Sequence, residues 1–154
     1  MKKIKITESD LYNIIKHVLL EQEENVWNTD ADDFNFRFFK AFDGNSEKFA
    51  KYHNKFYDKI VVDGDLFLFH TKITSLPDNL SVGDGLYLGG TPITSLPDNL
   101  HVEGSLDLGR TPITSLPDNL VVKGKIFIYG TPLNDNDELV REYIAKGYKI
   151  NRIN

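Results

Sequence analysis

Cysteine is absent from the 154 residues, which excludes disulfides, thiol catalysis and cysteine-ligated zinc. Long apolar runs are absent too. None approaches the roughly 18 residues of a membrane span, so no membrane partner is expected. Basic charge is in short supply: the formal net charge is −5, and residues 21–33 carry six acids and no base. Without a basic stripe, nucleic-acid binding is not expected. The four histidines (His17, His53, His70 and His101) do not cluster in sequence and are expected at scattered surface positions. No acid–base pair or nucleophile constellation is visible, so the chain reads as non-enzymatic, with no cofactor and no metal.

What the chain does have is a repeat. Thr71-Lys-Ile-Thr-Ser-Leu-Pro-Asp-Asn-Leu80 returns as Thr91–Leu100 and Thr111–Leu120, with Pro92 and Pro112 in place of Lys72. The period is 20 residues, and a fixed period in this range marks stacked supersecondary units. Apolar residues alternate at Leu66/Leu68, Leu86/Leu88, Leu106/Leu108 and Ile126/Ile128, which places each pair on one face of a strand. Further core positions are expected at Ile73, Ile93, Ile113 and Leu133, at Leu76, Leu96 and Leu116, and at Leu80, Leu100 and Leu120. One unit cannot bury this set alone, but stacked units can, with strands about 4.8 Å apart in a parallel sheet. Pro77, Pro97 and Pro117 hold the return path extended, and the Asp-Asn pairs after them are turn chemistry.

The motif Leu-x-Leu-x-x-Thr-x-Ile-x-x-Leu-Pro-x-x-Leu at Leu86–Leu100 and Leu106–Leu120 resembles the leucine-rich repeat family, in its short bacterial form. The resemblance covers about half the chain. It implies a solenoid with one parallel sheet of about five short strands, an extended convex side and helical caps at both ends. Thr71, Thr91, Thr111 and Thr131 stand where that family has Asn, so no Asn ladder is expected there. Gly64, Gly104 and Gly124 precede the strands, with Asp84 in the second unit; an unpaired core carboxylate would be costly, so this slot is read as a bend. The alternative is a three-faced β-helix in which Val82-Gly-Asp forms a strand of its own.

The parts outside the repeat divide the chain further. Residues 1–23 read as an amphipathic leader helix, with Leu11, Ile14, Ile15, Val18 and Leu19 on one face and Thr7 at its start. Lys5–Glu21 resembles the short leaders of large tailed bacteriophage proteins. That resemblance implies direction into an assembling head and cleavage after Glu21, which ends the tripeptide Leu19-Leu20-Glu21. The plainer expectation is a helix that docks or self-associates. Residues 24–33 read as an acidic linker in which Trp27 anchors locally. Residues 34–58 read as an aromatic, helical N-terminal cap, with one helix from about Asp30 to Ala41 and a second capped by Ser46. Residues 59–133 are the repeat, and 134–154 a C-terminal cap with a helix capped by Asp135 and a last strand over Tyr148–Ile153.

The expected site is the outward face of the sheet. Its columns read Phe67, Tyr87, Asp107, Phe127 and Phe69, Gly89, Gly109, Tyr129, with Arg110 at the rim. Buried positions repeat while these diverge, and exposed aromatics in a row imply a contact. The contact is either another protein or the chain's own N-terminal helices. The expected function is protein binding by a phage-type module, in the virion or the bacterial host cytoplasm. The alternative is a virion structural or head-packaged cargo protein whose leader matters more than its repeats.

Overall fold

Apolar alternation occurs twice in each 20-residue unit, and a strand forms at each place. A computed structural model describes residues 7–9, 12, 25–36, 42 and 44–153. Sheet A contains β1 (Val26–Asp30), β2 (Lys59–Asp63), β4 (Leu80–Val82), β6 (His101–Val102) and β8 (Val121–Val122). Sheet B contains β3 (Leu66–Phe67), β5 (Leu86–Tyr87), β7 (Leu106–Asp107), β9 (Lys125–Phe127) and β10 (Lys149–Asn151). Both sheets are parallel and five-stranded, in the orders β1-β2-β4-β6-β8 and β10-β9-β7-β5-β3. Within the repeat each strand pairs with its equivalent in the next unit, as in Ile60↔Leu80 and Leu66↔Leu86↔Leu106↔Ile126.

The expectation of one sheet is therefore corrected: there are two. The physical reason is that Leu80/Val82 and Leu100/Val102 also alternate, so both members point inward and each unit can supply a second short strand. The corner between the sheets is the bend expected at the glycine slot. Asp84 is exposed there, and the corners stack by backbone bonds: Asp84 N–H to Gly64 C=O at 3.0 Å, Gly104 N–H to Asp84 C=O at 2.9 Å and Gly124 N–H to Gly104 C=O at 2.9 Å.

The return side carries no strand among the described residues. Each unit enters it through a threonine turn. The hydroxyls of Thr71, Thr91, Thr111 and Thr131 donate to the carbonyls of Leu68, Leu88, Leu108 and Ile128 at 2.7, 2.7, 2.7 and 2.6 Å. The threonine thus closes its own turn instead of bridging units. A single Asn rung occurs elsewhere, at the start of sheet A, where Asn99 Nδ2 donates to Asn79 Oδ1 at 3.0 Å and both residues have left-handed φ, +57° and +55°. The core between the three sides is one cluster, and every core position expected from the repeat is buried in it.

At both ends of the return side, side chains of the flanking helices bond to backbone groups. At the N-terminal end, β1 extends sheet A, so residues 26–30 of the expected linker are a strand, and Trp27 is buried. Helix α1 (Ala31–Phe36) starts at Asp30, whose Oδ1 accepts from Asp33 N–H at 2.8 Å. Its expected continuation to Ala41 lies outside the described residues. Helix α2 (Ser46–Phe56) is capped by Asn45, whose side chain accepts from Lys48 N–H, and not by Ser46. Ser46 Oγ instead accepts from Thr74 N–H at 2.9 Å and Ser75 N–H at 3.2 Å. Asn54 exchanges two bonds of 2.8 Å with Asp78. The side chains of α2 thus satisfy the first return segment.

The rings of Phe34, Phe42 and Phe49 pack around Trp27 and His53. His53 is 1% exposed and stacks on Trp27 at 4.6 Å, which corrects its expected surface position: its helical face points into the cap.

At the C-terminal end a 3-10 turn (Pro132–Asp135) leads into helix α3 (Asp137–Ala145). Asn136, not Asp135, is its N-cap, with Oδ1 accepting from Leu139 N–H at 3.1 Å. Tyr143 and Tyr148 reach back to the backbone of Leu116 and Leu120. β10 then adds the expected last strand to sheet B. Of the leader, Thr7 precedes helical Glu8 and Ser9, and Tyr12 is helical; its other residues, Glu21 included, lie outside the described residues. No described helix is long and apolar enough to cross a membrane.

Candidate functional site: the outward face of sheet B

Leu66, Leu86, Leu106 and Ile126 point into the core, so their neighbours Phe67, Tyr87, Asp107 and Phe127 form the outward column of sheet B. The register of β10 adds Asn151 opposite Phe127, a member that the repeat could not reveal because β10 lies outside it. Phe67 and Phe69 are 50% and 52% exposed, Tyr87, Asp107, Phe127 and Tyr129 are half-buried, and Arg110 is exposed. All seven face residues expected from the sequence thus lie on or beside one surface. Among the described residues the N-terminal rings pack on one another and on Trp27, while the rings of Phe67, Phe69 and Tyr87 contact each other. The described part of residues 34–57 does not cover the face.

The rings are ordered along the strands. Phe67 stacks on Tyr87 with centroids 4.7 Å apart and planes 11° from parallel, and Phe69 meets Phe67 edge-on at 6.1 Å. Offset stacking of this kind adds about 0.5–1.5 kcal/mol per pair beyond burial. In the second and third units, between Phe69 and Tyr129, the surface drops to glycine. Gly89 and Gly109 are buried, and a Cβ on Gly109 would collide with the Tyr129 ring, which lies across that position. Gly89 and Gly109 thereby floor a cleft of about 150 Å³, walled by Phe69 and Tyr129 and rimmed by His70, Asp107 and Arg110. Asp107 is fixed over this floor: its Oδ1 accepts from Gly109 N–H at 2.8 Å.

The face is acidic toward its N-terminal end. Burial pushes the Tyr87 hydroxyl pKa above its ordinary value, and Asp65, Asp84 and Asp107 push it the same way. Asp65 is itself anchored, with Oδ1 accepting from Gly85 N–H at 2.8 Å. Sequence reasoning placed Gly89 and Gly109 in the column but did not single out Asp65 or His70 as part of the site. The signal for the floor was the pair of glycines between Phe69 and Tyr129, which lets the Tyr129 ring lie over Gly109.

The other surfaces offer less chemistry. On sheet A, Glu103 bridges His101 and Lys123 at 2.6 Å each, which holds its pKa below the ordinary value. On the return side, Asp78, Asp98 and Asp118 are exposed, and burial together with the charge of Asp98 raises the pKa of Asp78. Among the described residues no group of three or more His, Asp or Glu is placed to hold a metal ion. Comparison with protein-family models, curated proteins and solved structures found no match.

Proposed function

We propose that this chain is a non-enzymatic protein-binding module whose 20-residue repeat forms a leucine-rich-repeat-like solenoid, and that it contacts a protein partner through the outward face of sheet B. The observation that carries this reading is the pair of half-exposed rings, Phe67 and Phe69, stacked toward Tyr87 on a face whose inward counterparts are uniformly Leu or Ile. Rings exposed side by side add nothing to the core, and interface energy concentrates in such anchors. The pairing of each strand with the one 20 residues on supports the solenoid. On this reading the protein acts in the cytoplasm of a bacterial host.

A photo-crosslinking residue at Phe69, Tyr87 or Phe127 tests it, with Val121 on the outward side of sheet A as the control. Adducts with one protein are expected from the sheet B positions. Adducts from Val121 alone, or none, would contradict the proposal.

The sequence Lys5–Glu21, ending in Leu19-Leu20-Glu21, favours a second reading: a head-packaged or structural virion protein whose leader is cleaved after Glu21. Mass spectrometry of purified particles would then find the chain beginning at Gln22. Particles lacking the chain, or containing it uncut, would contradict cleavage during packaging.

A further inference from the structure

Sheet B runs from β10 at one edge to β3 at the other. At the β3 end of the molecule sheet A is extended by β1, which is in turn its terminal strand. Each sheet therefore ends there on one edge strand, and among the described residues β3 is the one beside exposed aromatic rings. Leu66, Leu68 and His70 donate their N–H groups inward, to the carbonyls of Gly85, Tyr87 and Gly89 at 2.8, 2.9 and 2.9 Å. Successive residues of a strand direct their polar groups to opposite edges, so the N–H and C=O of Phe67 face away from β5. The same edge carries the two most exposed rings of the face, Phe67 and Phe69.

The electrostatics of this edge have one sign. Asp65 is half-buried in the bend that leads into β3, and Asp63 is exposed at the end of β2 next to it. Asp65 is anchored by Gly85, and Asp84 and Asp107 follow along the face. The cations nearest in sequence belong elsewhere: Lys59 to sheet A and Lys72 to the return side. Edge strands are commonly blunted by lysine, proline, a bulge or short length; β3 has only the last of these, being two residues long, so it offers one outward backbone pair, that of Phe67.

We propose that β3 is a strand-addition site, which takes an extended, lysine- or arginine-bearing segment of the protein partner as a sixth strand of sheet B. Backbone pairing to Phe67 supplies the register, the rings of Phe67 and Phe69 receive alternate side chains, and the carboxylates select the basic ones. A second copy of this chain fits less well, because its own β3 edge carries no lysine or arginine to meet these carboxylates. The proposal rests on the reading that the partner contacts sheet B, and its test separates the two.

Amide exchange is measured on the full chain with short extended peptides that alternate lysine with valine or threonine, and with glutamate versions as controls. With the lysine peptides, exchange of the Phe67 amide is expected to slow by about tenfold or more, while that of Tyr87, already paired in the sheet, changes little. Phe67→Ser removes only the ring and should weaken binding. Phe67→Pro removes the ring and the outward N–H and should abolish it. If Phe67→Pro fails to fold, the wild-type exchange result decides alone. Unchanged exchange at Phe67, with crosslinks still forming from Tyr87 and Phe127, would overturn strand addition and leave face binding standing. Loss of both signals would overturn both readings. Equal protection by glutamate peptides would overturn the basic partner, and protection that grows with protein concentration alone would make the occupant a second copy.

Discussion

Tyr143→Phe isolates the way the C-terminal cap closes the stack. Tyr143 is 5% exposed on α3, and its hydroxyl meets the Leu116 backbone twice: Leu116 N–H donates to it at 2.8 Å, and it donates to Leu116 C=O at 3.2 Å. These two bonds tie the cap to the return segment Thr111–Leu120. The substitution keeps the ring and the packing and removes one oxygen, leaving a buried N–H unpaired. Such a group costs about 1–3 kcal/mol, and a loss of about 2 kcal/mol is expected. For a chain of this size that lowers the melting temperature by about 4–8 °C. Tyr148→Phe is the internal control. Its hydroxyl donates to Leu120 C=O at 2.7 Å from a half-buried site, and its loss should cost about 0.5–1 kcal/mol. Urea denaturation of both variants, with unchanged m-values, measures the difference. If Tyr143→Phe costs less than about 0.5 kcal/mol, or less than Tyr148→Phe, the hydroxyl does not hold the cap to the last return segment and the reasoning fails.

The remaining expectations concern facing, packing and charge. Leu106→Ala empties a fully buried position paired on both sides and should cost about 2–5 kcal/mol, whereas Phe67→Ala on the outward face should cost about 1 kcal/mol or less; chemical denaturation showing equal losses would reverse the assigned facing. Gly124→Ala would place a Cβ 2.5 Å from the Gly104 carbonyl oxygen, so about 1–3 kcal/mol is expected from a backbone that cannot yield; at Gly109→Ala the nearest atoms are those of the Tyr129 ring, a side chain that can swing into the cleft, so a smaller loss than at Gly124 is expected in thermal melts. Glu103 titrates below the ordinary value for a glutamate because hydrogen bonds from Lys123 and His101 favour the carboxylate. Its contribution to stability is therefore present above that ordinary value and lost as pH falls through the lowered one. Glu103→Gln should flatten this acid limb slightly, the residue being exposed, and an unchanged limb would remove Glu103 as its source.

Much of the fold is legible in the repeat. Alternating Leu or Ile at 66/68 through 126/128 locates sheet B and its outward columns, because period two fixes the facing once one member is known to be core. Sheet A is harder to read, although Leu80/Val82 and Leu100/Val102 alternate too. These pairs end one copy of the repeat and begin the spacer, so a boundary drawn at Leu80 cuts the strand in two. β1 is hidden for another reason: its partner β2 lies 33 residues away, and the acids around Trp27 read locally as a linker. Ser46 shows the limit of local rules. It has the chemistry of a helix cap, but Asn45 takes that role and leaves its hydroxyl for Thr74 and Ser75. On the candidate site, the rings are legible one by one. Their stacking, the glycine floor and the open edge at β3 depend on which units become neighbours and where each sheet ends.

On the proposed reading, a partner binds the outward face of sheet B through the exposed rings, and the sheet itself draws only a small part of its stability from them. The most direct test is the double variant Phe67→Ser/Phe69→Ser, assayed for capture of the protein crosslinked from Phe69 in the wild type, alongside its melting curve. Because both rings are half-exposed, the account predicts that capture falls by about a hundredfold, consistent with loss of two interface anchors, while the melting temperature drops by no more than a few degrees. Undiminished capture with an unchanged melt would contradict it, as would unfolding of the variant, which would make these rings part of the core.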